Sequence, residues 1–464
     1  MSLGPSKVFA GSATWLSSPP TNNWNDPNDW SPATVPNGSA DTATFGHSLT
    51  ANISLSANTE VNGITFASAM FPSAYTITAS PQTTLTISGP GITNNSGTTQ
   101  NFVTDTNGAG AGTIFFTNSA TAGNSTSFTN RGGTVSGAHG GTTAFDSSTA
   151  GTATITNNGG MVSGANGGHT EFDTTSTAGN ATLIANGGTS GGEGGNIFFA
   201  ADSTGGTARV KVFGNGNLDL SFHNAPGVTI GSLEGSGNAF LGSNNLTVGS
   251  NNLSKTFSGA VLDSGAGHGS LTKTGTGKLT LTGNENFYTG ATTINGGTLL
   301  VKNKTGSATG NLAVQVNAGT LGGTGIIDGV VTVGTGIGTT SKANLLAGNG
   351  ATSPGTLTIN NPVTFQSDST YKCVLNRSTG KASKLTAFRV FIDNNAQFAF
   401  TDIGTGTLAI GTVFRVIDNT SNLAISGRFR NLSNGLVLTS NDGTKFKVSY
   451  TGGTGNDLTL KVVP

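Results

Sequence analysis

The chain has 464 residues, of which 21 are Lys or Arg and 21 Asp or Glu, so its formal net charge is zero. Only 9% of its residues are charged while 73 are glycine, a composition unlike that of an ordinary cytosolic enzyme. Disorder usually pairs high net charge with few aromatics, whereas this chain carries 25 Phe that call for a packed core.

Gly or Asn interrupts nearly every window of a dozen residues, and no segment shows a 3.6-residue apolar period, so the fold class is all-β. Cys373 is the only cysteine, which excludes an intrachain disulfide and a cysteine-based zinc cluster. No apolar run approaches the roughly 18 residues of a membrane span, and Met1–Val8 lacks the apolar core of a signal peptide. The expectation is a soluble chain from which any signal peptide has been removed, with Met1-Ser2-Leu3 as a cloning remnant. The zero net charge hides an asymmetry: residues 1–208 carry 2 basic and 10 acidic side chains, and residues 209–464 carry 19 and 11. In a rod this split would favour self-association of acidic N-terminal with basic C-terminal regions.

Residues 1–50 hold all three tryptophans, Trp15, Trp24 and Trp30, amid several prolines. They predict an N-terminal cap over the first coil of a solenoid, because an open stack of strands must be covered. The alternative is a platform on which sugar rings stack.

Residues 51–369 predict the solenoid itself. Its period is clearest at 112–216, where Phe116, Phe145, Phe172 and Phe199 recur every 27 to 29 residues. Each is followed six or seven residues later by Gly123, Gly151, Gly179 or Gly206. Asn130, Asn158, Asn186 and Asn215 recur at the next corners. A fixed period of this size marks a repeat architecture, and 27 residues are too few for a propeller blade. Two or three runs of about five residues per period suit one coil of a single-stranded parallel β-helix, taken as right-handed. Stacked coils would lie about 4.8 Å apart, with Phe forming an interior ladder and Asn a hydrogen-bonded ladder at a turn.

The stretch Leu271–Val301, LTKTGTGKLTLTGNENFYTGATTINGGTLLV, alternates apolar and polar residues between glycine corners. Leu271, Leu279, Leu281, Ile294, Leu299 and Val301 are expected inside, with Thr and Lys pointing outward. Its Leu-Thr-Lys-x-Gly-x-Gly, Leu-Thr-Leu-x-Gly, Tyr-x-Gly and Asn-Gly-Gly-Thr-Leu elements closely resemble the autotransporter-associated β-strand repeat of exported bacterial proteins. The likeness extends over Ile230–Ile359, from the lead-in with Asn245–Val248 to the SPGTLTI beginning at Ser353, and the Trp-rich opening is similar to that of exported proteins carrying the repeat. It implies a β-helical passenger-like protein, secreted or on the cell surface of a bacterium. Glu285 is the only carboxylate in the segment, so the segment carries scaffold information.

Residues 370–464 shift toward Lys, Arg and larger apolar residues, in FRVFI, TVFRVI, KFKVSY and LTLKVV. They predict a C-terminal β cap and assembly region. The ending TGGTGNDLTLKVVP resembles the residues before a Pro-Glu-Pro sorting signal, whose tail is absent from this chain.

One segment offers chemistry. In His169-Thr170-Glu171-Phe172-Asp173, an inward Phe172 sends His169, Glu171 and Asp173 to one outer face, where Asp146 and Asp202 of the adjoining coils would join them. Such carboxylates could act as acid and base, with Glu171 and Asp173 the catalytic candidates. The five together are the candidate cation ligands, with calcium the cation they suit. Catalysis would also need a basic residue, for which Arg131 and Arg209 are the neighbours. No cofactor motif is present: the Gly-x-Gly strings open no helix, the histidines lack ligand spacing, and the C-terminal basic residues are interspersed with acids, unlike a nucleic-acid surface. The sequence favours a non-enzymatic structural or adhesive protein of the bacterial surface or biofilm matrix, assembling head-to-tail into fibres. The alternative is a polysaccharide-active lyase or hydrolase, or a glycan-binding protein, on the same scaffold.

Overall fold

Runs of four or five alternating residues give strands that turn every second side chain inward, and Thr182–Ala185 and Asn196–Phe199 each bury two of four in this way. The computed structural model describes residues 11–108, 110–263, 267–284, 286–338 and 342–464. Residues 1–10 of the expected N-terminal cap, and Glu285, lie outside the described residues. The chain is a parallel β-helix in two compact units, Met1–Phe240 and Leu241–Pro464.

In the first unit one sheet stacks Ala13–Trp15, Gly38–Phe45, Thr59–Phe66, Thr84–Asn94, Thr113–Phe116, Thr142–Asp146, His169–Asp173, Asn196–Phe199, Asn217–Asp219 and Asn238–Phe240. Every one of these pairings is parallel. A second parallel sheet runs from Asn52–Leu55 to Ser232–Gly235. The third side is a ladder of single bridges through Gly91, Thr121, Thr149, Thr177 and Thr204. Its threonines explain the recurring Thr-Ala-Gly: the Thr121, Thr149 and Thr177 hydroxyls accept from the amides of Gly123, Gly151 and Gly179 at 3.0–3.1 Å. Those glycines hold φ of +80°, +59° and +57°, a region that a side chain disfavours.

Phe116, Phe145, Phe172 and Phe199 form an interior column, with ring centroids 4.8–4.9 Å apart and planes within 13°. All four are buried. The asparagines depart from the expected ladder. Asn130 is in register with Asn157, not Asn158, and Asn157 in turn with Ala185. The buried chain is Thr104–Asn130–Asn157: the Asn130 Oδ1 accepts from Thr104 at 2.8 Å and Thr143 at 2.7 Å, and its Nδ2 donates to Asn157 Oδ1 at 2.7 Å. Asn158 and Asn186 pair separately at 3.0 Å, while Asn215 binds the amide of Gly188 at an exposed turn.

Three sheets account for most of the described strands of the second unit. One stacks Asn245–Val248, Ser270–Lys273, Thr292–Ile294, Val314–Val316, Val331–Val333, Val363–Phe365, Val390–Ile392 and Ser426–Gly427. Another runs from Lys255–Phe257 to Gln397–Ile403. A third stacks Ile326–Ile327, Thr356–Ile359, Lys384–Ala387 and Val413–Asn419 in parallel, then adds Asp457–Val463, Lys445–Gly452 and Val437–Thr439 antiparallel. Parallel coiling thus continues past residue 370 to Ser426–Gly427, interrupted by the short antiparallel strand Lys381–Ala382 on Ser369–Asn376, before the last three strands reverse. The buried Arg377 ties a coil to this closing sheet: its guanidinium grips Asp402 at 2.8 Å and donates to Ser440 and Thr444 at 3.0 Å.

Leu271–Val301 forms two successive coils, with Leu271, Leu279, Leu281, Ile294, Leu299 and Val301 all buried. Lys273 corrects the expectation that its lysines point outward. It follows Leu271 by two residues and so faces the same interior, between Val248 and Ile294 of the adjoining coils. It is 1% exposed, with its ammonium on the Thr274 carbonyl and 3.4 Å from that of Gly296. Burial lowers its pKa from the usual 10.5 to about 8.

Candidate functional site

On the strand His169–Asp173, Thr170 and Phe172 point inward, while His169, Glu171 and Asp173 lie half-buried on the outer face. The His169 Nε2 is 3.9 Å from Glu171 Oε2. Burial pushes the His169 pKa down, with Asp219 opposing. Burial followed by the charge of Asp173 pushes that of Glu171 up.

The carboxylates do not converge. In register, Asp173 lies beside Asp146, but Glu171 lies between Ala144 and Phe198. Asp202 falls past the end of the ladder and binds the Asn224 amide at 3.0 Å, because Phe199 aligns with Phe172 and places Ala200 beyond it. Asp146 accepts from the Thr174 hydroxyl at 2.5 Å. The two basic candidates are engaged elsewhere, Arg131 with Asp105 and Arg209 with Glu234. Among the described residues no three His, Cys, Asp or Glu side chains are grouped to hold a metal ion.

The tryptophans offer no sugar platform either. Trp15, Trp24 and Trp30 are 2%, 0% and 2% exposed. Their rings pack on one another at 5.0–5.1 Å and on Phe45 at 5.5–6.2 Å, and each indole N–H donates to a backbone carbonyl. A ring covered on its faces cannot stack on a ligand.

What sequence reading missed lies next to His169. A groove of about 760 Å³ crosses successive coils of the first unit between two polar rows. One row is His139, Asn166, Glu193 and Asn215, and the other Thr142, His169, Asn196, Asn217 and Asn238. Gly140, Gly167 and Gly194 form its floor, and a Cβ on Gly140 or Gly167 would come within 2.2 Å of the next coil's backbone. The signal was present as a polar residue, one or two glycines and another polar residue, in HGGT, NGGH, EGGN and NGN.

Residues 271–301 match the passenger-associated-transport-repeat family. A stretch of 173 residues, 36% of this chain, is 29% identical to 15% of an extracellular serine protease of Serratia marcescens. Another of 83 residues, 18% of the chain, is 45% identical to 2% of the adhesin BmaC autotransporter of Brucella suis biovar 1 (strain 1330). Over these segments the β-helical chain is similar to autotransporter passengers. It spans a small part of the length of these relatives, and no helix among its described residues is long and apolar enough to cross a membrane.

Proposed function

We propose that this passenger-like chain is a non-enzymatic adhesive or structural β-helix of the secreted or surface-exposed kind. The observation that carries this reading is the dispersal of the acidic candidates. Glu171 has Ala144 and Phe198 as its cross-strand neighbours, Asp202 lies past the end of the ladder, and both arginines are paired elsewhere, so no basic group stands beside the carboxylates to complete an acid–base pair. The interior, by contrast, is fully committed to stacking. The adhesin relative supports a role in contact, and the family repeat supports export. Beads coated with the purified chain should adhere to bacterial cells or matrix-coated surfaces, and no adherence above an uncoated control would refute adhesion. Incubation with neutral and acidic polysaccharides, with and without calcium, should give no cleavage. Cleavage that disappears in Glu171→Gln or Asp173→Asn would establish the enzymatic alternative.

The charge split between residues 1–208 and 209–464 supports a second property, self-association between copies. Contacts between unlike patches extend into fibres wherever the rotation between copies does not close a ring. Light scattering that rises at low salt and falls at high salt is expected, and a monomer at every salt and protein concentration overturns it.

A further inference from the structure

We infer that the groove of the first unit is a binding site for a neutral polysaccharide chain lying along the direction in which the coils stack. This deepens the adhesive reading and rests on it.

The repeat of the site is set by the fold. Thr142, His169, Asn196, Asn217 and Asn238 are consecutive partners in one parallel sheet, so polar side chains recur at the strand spacing of about 4.8 Å. That spacing is comparable with the length of one pyranose unit, and a polymer can therefore meet the same group at each coil. The opposite row advances in step, since Asn166 follows His139 and Glu193 follows Asn166 at 27-residue intervals. The floor between the rows is glycine, and the absence of Cβ atoms there is what lets successive coils stack closely and keeps the two rows in step.

The lining selects the ligand class. Asparagine amides both donate and accept, as sugar hydroxyls do, and three groove asparagines, Asn196, Asn217 and Asn238, stand on successive coils with Asn166 and Asn215 in the row across from them. Glu193 is the one carboxylate in the lining and no Lys or Arg lines it, so an acidic polymer finds no counter-charge there. Phe240 closes one end with an apolar edge. One of these amides, that of Asn196, is incompletely used. Asn217 and Asn238 meet at 3.2 Å, but the Asn196 Oδ1 is shut away from water with no hydrogen-bond partner. A buried acceptor left unpaired is unfavourable. Rotation of this amide toward a ligand hydroxyl breaks no bond at that oxygen and gains one.

The test is retention of the full chain on immobilised cellulose and xylan, with alginate as the acidic comparison, alongside the variants Asn196→Ala/Asn238→Ala and Asn166→Ala/Asn217→Ala. Binding to at least one neutral polymer is expected, weakened tenfold or more in both double variants while the melting curve is unchanged. Retention on alginate alone, no retention on either neutral polymer, or neutral binding that both variants keep overturns the assignment. Bead adhesion that persists without neutral-glycan binding would refute the groove and leave the adhesive role standing, whereas loss of both would refute the two together.

Discussion

The buried Lys273 allows a test of the interior that is independent of function. The perturbation is Lys273→Met, which keeps the length of the side chain and removes the charge. In the unfolded chain the amine titrates near 10.5, and in the fold near 8, so between these values the unfolded state binds more protons and stability rises with pH. Below pH 8 the amine is charged in both states and the fold bears the whole cost of burying it. At about 1.4 kcal/mol per pH unit the difference corresponds to roughly 3 kcal/mol. Part of that is recovered in Lys273 through its two carbonyl contacts, which Met cannot make, at about 1 kcal/mol each. The variant is therefore expected to be more stable than the parent by about 1 kcal/mol at pH 7. The parent should then gain about 3 kcal/mol on the variant between pH 8 and 10.5 and be the more stable of the two above it. Paired denaturant titrations from pH 7 to 11 measure this difference directly, and a difference independent of pH would refute the burial of the ammonium.

Phe172→Ala removes a fully buried ring from the middle of the column and should cost about 3–5 kcal/mol, with an unchanged melting curve as the contrary result. Gly167→Ala places a methyl group 2.2 Å from the carbonyl of Gly194 and should cost about 1–3 kcal/mol, against the usual preference for Ala over Gly. Asp402→Ala removes the bidentate partner of the buried Arg377 guanidinium but leaves Asp442 at 2.6 Å, and should cost about 1.5–3 kcal/mol. Amide hydrogen exchange should place the first two losses in Met1–Phe240 and the third in Leu241–Pro464. Loss of protection spread equally over both units in all three variants would contradict the division.

The coil was legible in the sequence because its interior is periodic. Phe116, Phe145, Phe172 and Phe199 recur with the coil itself, and Leu271, Leu279 and Leu299 obey the two-residue alternation of a strand with one face inside. Lys273 obeyed the same alternation, yet charge was allowed to outweigh position, and its aliphatic stem and two nearby carbonyls are what make the interior site tolerable. The Asn corner lies one residue from where the sequence places it, because the coils at that corner lengthen from 27 to 28 residues between Asn130, Asn157 and Ala185. Only strand register shows that Asn130 meets Asn157. The acidic strand was placed on the correct face, but which carboxylates become neighbours depends on the same register, and Asp202 falls beyond its end. The groove depends on two rows from opposite sides of a glycine corner, a relation no single window of sequence displays.

The stacked corners also bear on how such a chain changes length. Thr142, His169 and Asn196 occupy one position in three consecutive coils, so the upper and lower surfaces of the coil His169–Gly195 are close to interchangeable. Excising that segment brings the Phe145 coil against the Phe199 coil, and copying it in tandem sets Phe172 upon another Phe172. Either event preserves the seams on both sides. Tandem duplication by whole coils is thus an accessible evolutionary step for this unit, and each added coil would extend the polar rows by one rung without disturbing those already present.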